Sequence, residues 1–549
     1  MPLSLLFFFI SITGIFLSNV FVVTETVKLN LFLTILSPFF LFLLVKLEGK
    51  KILIPKKESF FYCLFILFSI ISTFLAIDKE VAFESLLIYI SFYFYFIFSF
   101  NYQEGLKKYF KRFLVGISVF SCLIFFSNQV FHLNLFQEGA SLFYGGYYHN
   151  ELGNLLILGL VICLFDRLHI LLLFLLPFFI FSYSRTAYLS IIIVSALFLF
   201  IKKKLGNFNQ KIILLNIILL GIILFFNTTK EVIEFFPNPS KNFLEKRLSL
   251  PKEKSITGKR PQHYYYAWLT ILERPVFGVG PDNLYLSTLK KQFNWEEGTT
   301  SAHNLILDVF AENGGLAGVS FLIFLAYIFK RSKKDLYYYL FLALSLVFLF
   351  NFSYRYTTFF LIWIILAGIN LVDSKDVVKI NMPTFFLSII IVFMLGQTIL
   401  LGIFFNNIGL TDLSLKLYPL NKDVYREVIE THIGKNQVGK ALEYLTMYDS
   451  NFKDGYIAVN NKGRFYEELK DKKQAIYFYE KAIYEKPTSS SILLNKIFNL
   501  NVSYYGNQAG RNQMDKFINQ FKKDINIPKN NDVEKMIKNF CYDYNLTCR

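Results

Sequence analysis

The sequence predicts an all-α polytopic membrane protein of about 12–13 spanning helices, with an α-helical solenoid after the last span. Three observations carry this. Apolar runs near 20 residues recur over the first 405 of the 549 residues, the length a spanning helix needs. Hydrophobic residues make up 54% and charged residues only 18%, with a mean hydropathy of +0.43. That excludes disorder, collagen-like repetition and a single soluble globule. The basic residues are also strongly segregated between alternate connections.

In order, the candidate spans lie near 3–22, 29–45, 59–76, 82–100, 113–131, 152–166, 169–183, 186–201, 212–227, 315–329, 336–350, 357–372 and 384–405. The first lacks a basic leader and a small-residue cleavage site, so it reads as a retained helix. With the N-terminus in the cytoplasm, the even-numbered connections hold 20 Lys and Arg residues. The short outer connections hold four: Lys28, Lys79, Arg185 and Arg355. This is the positive-inside bias. It accounts for most of the net charge of +17, so nucleic acid is not an expected partner. The chain divides into a membrane domain, 1–383, with a large extracytoplasmic loop at 228–301, an additional span at 384–405, and an extracytoplasmic helical domain at 406–549. The apolar stretch 302–313 is expected to separate at Gly314-Gly315 and lie as a helix at the interface.

The tail resembles a tetratricopeptide repeat, a 34-residue helix-turn-helix unit. With Tyr456 as the first position, Gly463, Tyr466, Ala475, Tyr479, Ala482 and Pro487 fall at the repeat's offsets. A single unit cannot bury its apolar face, so about three stacked units are expected over 415–525. Such a domain either binds a protein partner or caps the membrane domain. Cys541 and Cys548 lie in a compartment that permits a disulfide, and their pairing is left open.

Ionisable residues at the membrane edge carry the functional reading. They are Arg185 within Ser184-Arg185-Thr186, then Lys259 and Arg260, then Arg274 ahead of Gly278 and Gly280. His303 and Asn304 precede Glu312, and Arg355 lies between two late spans. Arginine forks match phosphate oxygens and stay charged. A neutral histidine accepts a hydroxyl proton near pH 7. No zinc spacing, paired-acid magnesium motif or phosphate-binding P-loop stands out. The set suits metal-free transfer from a lipid-phosphate donor to a hydroxyl. Singly, each residue also has a bland reading: an arginine snorkelling to headgroups, a histidine bonded to a carbonyl, a glycine pair in a turn.

Taken in order, these pieces resemble the O-antigen ligase family. The matching residues are Ser184-Arg185-Thr186, Arg260 with Trp268, Glu273-Arg274-Pro275-Val276-Phe277-Gly278-Val279-Gly280, Ala302-His303-Asn304 and Glu312-Asn313-Gly314-Gly315-Leu316-Ala317-Gly318. The last stretch runs one residue long, with Gly315 and Gly318 keeping the family's glycine spacing. The resemblance covers roughly 150–372. It implies a GT-C-like bundle in the bacterial cytoplasmic (inner) membrane, with the C-terminal domain periplasmic. It implies inverting transfer of a glycan from a polyprenyl-diphosphate carrier, such as undecaprenyl diphosphate, with no cofactor or metal. His303 would be the general base, and Arg185 and Arg260 would hold the leaving diphosphate. Lys259, Arg274, Asn304, Glu312 and Arg355 would bind substrate. The acceptor would be lipid A–core, for lipopolysaccharide synthesis. In related polymerases and protein O-oligosaccharyltransferases it is another repeat or a protein hydroxyl. The other expected partners are membrane lipids and a protein held by the tail.

Two other classes compete. A transporter of lipid-linked glycan predicts inverted repeats and charges deep in the spans, and no clear repeat of that kind is present. A non-catalytic anchor presenting the solenoid accounts for the tail but not for the Arg/His set.

Overall fold

The computed structural model describes residues 1–20, 29–130, 149–182, 184–201, 260–293, 300–372, 376–380, 382–452, 455–525 and 531–548. Eight helices open the chain: α1 (Leu3–Val20), α2 (Leu29–Leu47), α3 (Lys56–Phe74), α4 (Lys79–Asn101), α5 (Gln103–Val130), α6 (His149–Asp166), α7 (His169–Phe181) and α8 (Arg185–Ile201). They fall on the first eight expected spans. The ninth, 212–227, lies outside the described residues. Within the long loop come α9 (Arg260–Glu273) and the short α10 (Leu284–Leu289). Then follow α11 (Leu305–Arg331), α12 (Leu336–Phe348), a 3-10 turn (Phe352–Arg355), α13 (Thr357–Asn370) and α14 (Met382–Asn407).

Among the described residues, five helical segments are long and apolar enough to cross a membrane: α2, α3, α4, α11 and Phe385–Asn407 of α14. Shorter apolar segments lie in α1, α7, α8, α12 and α13. The protein is an all-α polytopic membrane protein. One expectation is corrected here. The stretch before Gly314 does not lie at an interface as a separate helix. It is the first half of α11, kinked at Gly314, with Leu305, Asp308, Val309, Ala311, Glu312 and Asn313 buried. Its apolar side belongs to the core, so it stays inside the bundle.

Helix α13 shows where the core sits. All 14 of its residues are buried, and a helix apolar on every side belongs at the centre of a bundle. Its Trp363 stacks on Phe341 of α12, with centroids 5.2 Å apart. The indole N–H donates to Ser345 Oγ at 2.8 Å, so the ring's one polar atom is satisfied. Helix α11 packs most extensively on α3.

One end of this pair is closed by an antiparallel ribbon of β1 (Ile52–Pro55) and β2 (Val377–Ile380), with Ile52 opposite Ile380 and Pro55 opposite Val377. Beside it, Arg331 donates to both carboxylate oxygens of Glu58 at 2.6 and 2.7 Å. Glu58 is 0% exposed. The other end of α3 and α11 carries the candidate site.

Beyond α14, the tail is built from α15 (Thr411–Leu417), α16 (Lys422–Gly434), α17 (Val438–Asn451), α18 (Tyr456–Glu468), α19 (Lys472–Glu485), α20 (Ser490–Tyr505), α21 (Asn507–Asp524) and α22 (Asp532–Asp543). Sequential helices pair, α16 with α17, α18 with α19 and α20 with α21. A Cβ on Gly463 would meet the Tyr479 ring at 2.7 Å, so glycine permits the α18–α19 approach. Cys541 and Cys548 are joined by a disulfide. The tail rests on the site end of the membrane domain. Lys422 pairs with Asp78 and, at 3.6 Å, with Glu80. Lys290 pairs with Glu485 at 2.8 Å, and Val533 N–H donates to the Phe293 carbonyl at 3.2 Å.

Removing one partner of a buried ion pair strands the other. Glu58→Ala is therefore expected to destabilise the purified protein by about 3 kcal/mol, read as a lowered melting temperature in detergent. An unchanged melting temperature would show that Arg331 finds another anion or water there.

Candidate active site

The site is organised by a broken helix. Gly314 has φ 84 and ψ 173, outside the helical region. The break leaves carbonyls unpaired before it and N–H groups unpaired after it, which is unfavourable away from water. The motif 275–280 supplies both sets of partners. Val279 N–H donates to Ala311 O at 3.1 Å and Gly280 N–H to Glu312 O at 2.8 Å. In return, Gly315 N–H donates to Pro275 O at 2.7 Å and Leu316 N–H to Val276 O at 3.5 Å. The approach is backbone to backbone. A Cβ on Gly314 would overlap the Val276 carbonyl, and one on Gly278 would overlap the Glu312 carbonyl. The family-like glycines of both motifs thus serve one contact.

The same loop is held from α3 and α4. Ile77 N–H donates to Val279 O at 3.1 Å. Asn283 Oδ1 accepts from Asp78 N–H at 2.7 Å, and Asn283 Nδ2 donates to Asp78 O at 3.1 Å. Arg274 is exposed, and its guanidinium donates to Leu75 O at 3.1 Å. Small residues bring α9 onto the start of α11: Ala267, Leu284, Ala302 and Ala311 form one buried cluster.

This packing sets His303. Asn304 caps α11, its side chain accepting from Ile306 N–H at 3.0 Å and Leu307 N–H at 3.1 Å. Its amide donates to Leu349 O at 3.1 Å. His303 precedes the cap with φ 55, in the left-handed region. Its ring stacks on His263 of α9, with centroids 5.0 Å apart. Phe352 meets it edge-on at 4.8 Å. Burial, then the positive fields of His263 and Arg260, push the His303 pKa down to about 4, with Asp308 opposing the shift. The imidazole is therefore neutral at pH 7. Arg260 opens α9, one turn before His263.

A second group surrounds Arg355. Its guanidinium donates to Asp282, Asp308 and Glu312, so this arginine is engaged by three carboxylates. Asp308 and Glu312 are each 2% exposed. Asp308 also accepts from Ser301 Oγ at 2.7 Å, from Ala302 N–H at 2.7 Å and from the Tyr354 hydroxyl. A cavity of about 100 Å³ opens beside this cluster, walled by Phe65, Tyr89, Phe92 and Phe360.

Of the expected site residues, the structure brings His303, Asn304, Arg260, Glu312 and Arg355 to one end of the bundle. Arg274 braces the glycine loop. Arg185 opens α8 between the buried Ser184 and Thr186. Thr186 Oγ1 accepts from Asn351 at 3.3 Å, and Asn351 caps the turn that carries Arg355. The Arg185 side chain and Lys259 lie outside what is described. Trp268 is 52% exposed. His263, Asp282, Asp308 and Tyr354 were not singled out from the sequence. Two signals were there to use. His263 follows Arg260 by three residues, on one helix face, and Asp308 is an acid inside an apolar helix.

Fold and site together define an integral membrane protein with a histidine- and arginine-bearing centre at one end of its helix bundle. Residues 170–322 match the family described as O-Antigen ligase. Through this segment, under a third of the chain, the protein belongs to the O-antigen ligase family, and its activity is glycosyl transfer of the O-antigen ligase type. No curated protein and no solved structure matches the chain. The matched segment contains Arg185, Lys259, Arg260, Arg274, His303, Asn304 and Glu312 but not Arg355.

Gly314→Ala forces a side chain into both a strained backbone and an occupied space. It should lower stability by more than about 2 kcal/mol and abolish transfer. Gly49 also has a positive φ, of 67, but open space around it. Gly49→Ala should cost about 1 kcal/mol and leave transfer intact. Equal effects in thermal melts would show that the packing at Gly314 does not matter.

Proposed function

We propose that the protein transfers a glycan from a polyprenyl-diphosphate carrier to an acceptor hydroxyl on the outer side of the cytoplasmic membrane. The acceptor we favour is lipid A–core. The observation that carries this reading is the left-handed, ring-stacked His303, held neutral beside Arg260 within the family-matched segment. His303 takes the acceptor's hydroxyl proton. The freed oxygen attacks the anomeric carbon from the face opposite the carrier, so the configuration inverts. The bond from that carbon to the phosphate oxygen breaks, and the carrier diphosphate leaves with the electron pair. Arg185 and Arg260 stabilise the charge it gains, with Lys259 adding to the same field. Asn304 and Glu312 shape the acceptor side, and the positive charge needed comes from side chains rather than a metal.

An imidazole with a pKa near 4 is a weak base. Diphosphate bound near Arg260 offsets the cationic field that depresses it, raising His303 toward the working pH. The base thus becomes competent when the donor is in place. The tail, resting on the same end, fits either a cap or a site that receives a protein partner.

The test is genetic and chemical. The gene is deleted, and wild-type or His303→Ala copies are returned. Full-length glycan accumulating on the carrier and missing from the surface supports ligation. Single repeat units alone indicate a polymerase. Restoration by His303→Ala removes the base assignment. In vitro, the acid limb of kcat/KM, which reports free enzyme, should fall near pH 4, and that of kcat at higher pH. Coincident limbs would refute the donor-induced shift. Native His303 binds a proton less readily than an unfolded histidine near 6.5. Its contribution therefore lowers stability as pH falls from 6.5 toward 4, and His303→Gln should flatten the melting-temperature profile there.

A further inference from the structure

The backbone turn that carries His303 hangs from a single carboxylate. Asp308 lies on the first full turn of α11, and its own N–H donates to Asn304 O at 3.0 Å. Its side chain reaches back past the helix start. Oδ1 accepts from Ala302 N–H at 2.7 Å. Oδ2 accepts from Ser301 Oγ at 2.7 Å, from the Tyr354 hydroxyl, and from Arg355 Nη2 at 2.6 Å and Nε at 3.2 Å. The Ser301 hydroxyl oxygen in turn accepts from His303 N–H at 2.9 Å and lies 2.8 Å from the Tyr354 hydroxyl. Residues 301, 302 and 303 are thus each held by Asp308 directly or through one serine. A left-handed non-glycine residue persists only where its surroundings over-determine it, and these bonds supply that.

We propose that Asp308 is the positioning residue for His303, fixing the direction of the imidazole through the Ser301–Ala302 backbone and supplying a negative field at its base. This inference rests on the reading of His303 as general base. Arg355 is the second support. Its Nε and Nη2 hold the Asp308 carboxylate, so the charge is paired and its geometry fixed. The other charged groups facing His303 are His263 and Arg260, which oppose its protonation, and Arg355 itself. Asp308 alone among these favours the protonated ring that forms as the hydroxyl loses its proton.

Three variants of the full chain, purified in detergent, decide the matter with a polyprenyl-diphosphate-linked glycan as donor. Asp308→Asn keeps the size and one acceptor oxygen but removes the charge. It should lower kcat about a hundredfold with donor KM nearly unchanged, and move the acid limb of kcat to lower pH. Ser301→Ala cuts the link to His303 N–H without touching the ion cluster. It should lower kcat about tenfold while the protein melts as wild type does. His303→Ala is run in parallel. If it is inactive while Asp308→Asn keeps wild-type kcat and pH limb, the positioning role is overturned and the base stands. If His303→Ala retains activity, both fall. If Asp308→Asn fails to fold, Ser301→Ala decides, and an unchanged kcat there overturns the proposal.

Discussion

A membrane helix broken at Gly314 strands carbonyls on one side of the break and N–H groups on the other, in a place where water cannot pair them. Four backbone hydrogen bonds from residues 275–280 repair it. That repair constrains everything else at this end. It fixes the glycine loop against α11 with no room for side chains between them. It lets α11 keep its first half inside the bundle, with Asp308 and Glu312 on buried turns. It places α9 over the helix start, which brings His263 against His303. A continuous helix would need none of the glycines and would leave no loop to carry α9.

The charges are sorted by element. α11 and the loop before it contribute Asp308, Glu312 and Asp282, all gathered on Arg355. The start of α9 contributes Arg260 and His263. His303 sits between the acidic and basic sides and feels both. On the proposed reading this polarity orients the reactants. A diphosphate is drawn toward α9 and repelled by three carboxylates sharing one guanidinium. A neutral hydroxyl has no such bias and can approach past the acids. Arg355 serves this arrangement by holding the acids in register, which is why its fork is filled from within the protein.

Much of this was legible in the sequence because its causes are local. Apolar runs near 20 residues mark helices wherever they fall, and the first eight expected spans meet eight helices. The spacing from Gly463 to Tyr479 marked a close helix pair because the glycine lies under that ring. His303 and Asn304 stood out because a polar pair opens an apolar helix. The break was placed at Gly314-Gly315, and it is Gly314, two residues after Glu312, that takes the left-handed backbone. What the sequence did not reveal depends on distant partners. Taking 302–313 as an interfacial helix moved Asp308 out of the membrane domain, so its buried acid lost its signal. Arg355 read as a free cation because Asp282, 73 residues earlier in the chain, gave no sign of pairing with it.

The turn between α3 and α4 joins the tail to this arrangement. Leu75 O accepts from Arg274, Ile77 N–H donates to Val279 O, and Asp78 is matched to Asn283. From the other side the tail grips the same residues. Lys422 pairs with Asp78 and Glu80, and Lys422 N–H donates to Glu80 Oε2 at 3.3 Å. Tyr418 donates to Glu84 at 3.3 Å, and Gly455 lies over Ile77. Asp78 is therefore shared: its backbone supports the loop that repairs the broken helix, and its carboxylate holds the tail. Contiguity of this kind is not in itself coupling, which requires two states that both regions bias. It does mean that the tail cannot shift at Lys422 without loading the turn that supports residues 275–280. The helix pairs of the tail are thereby anchored to the scaffold of the site, and not tethered through α14 alone.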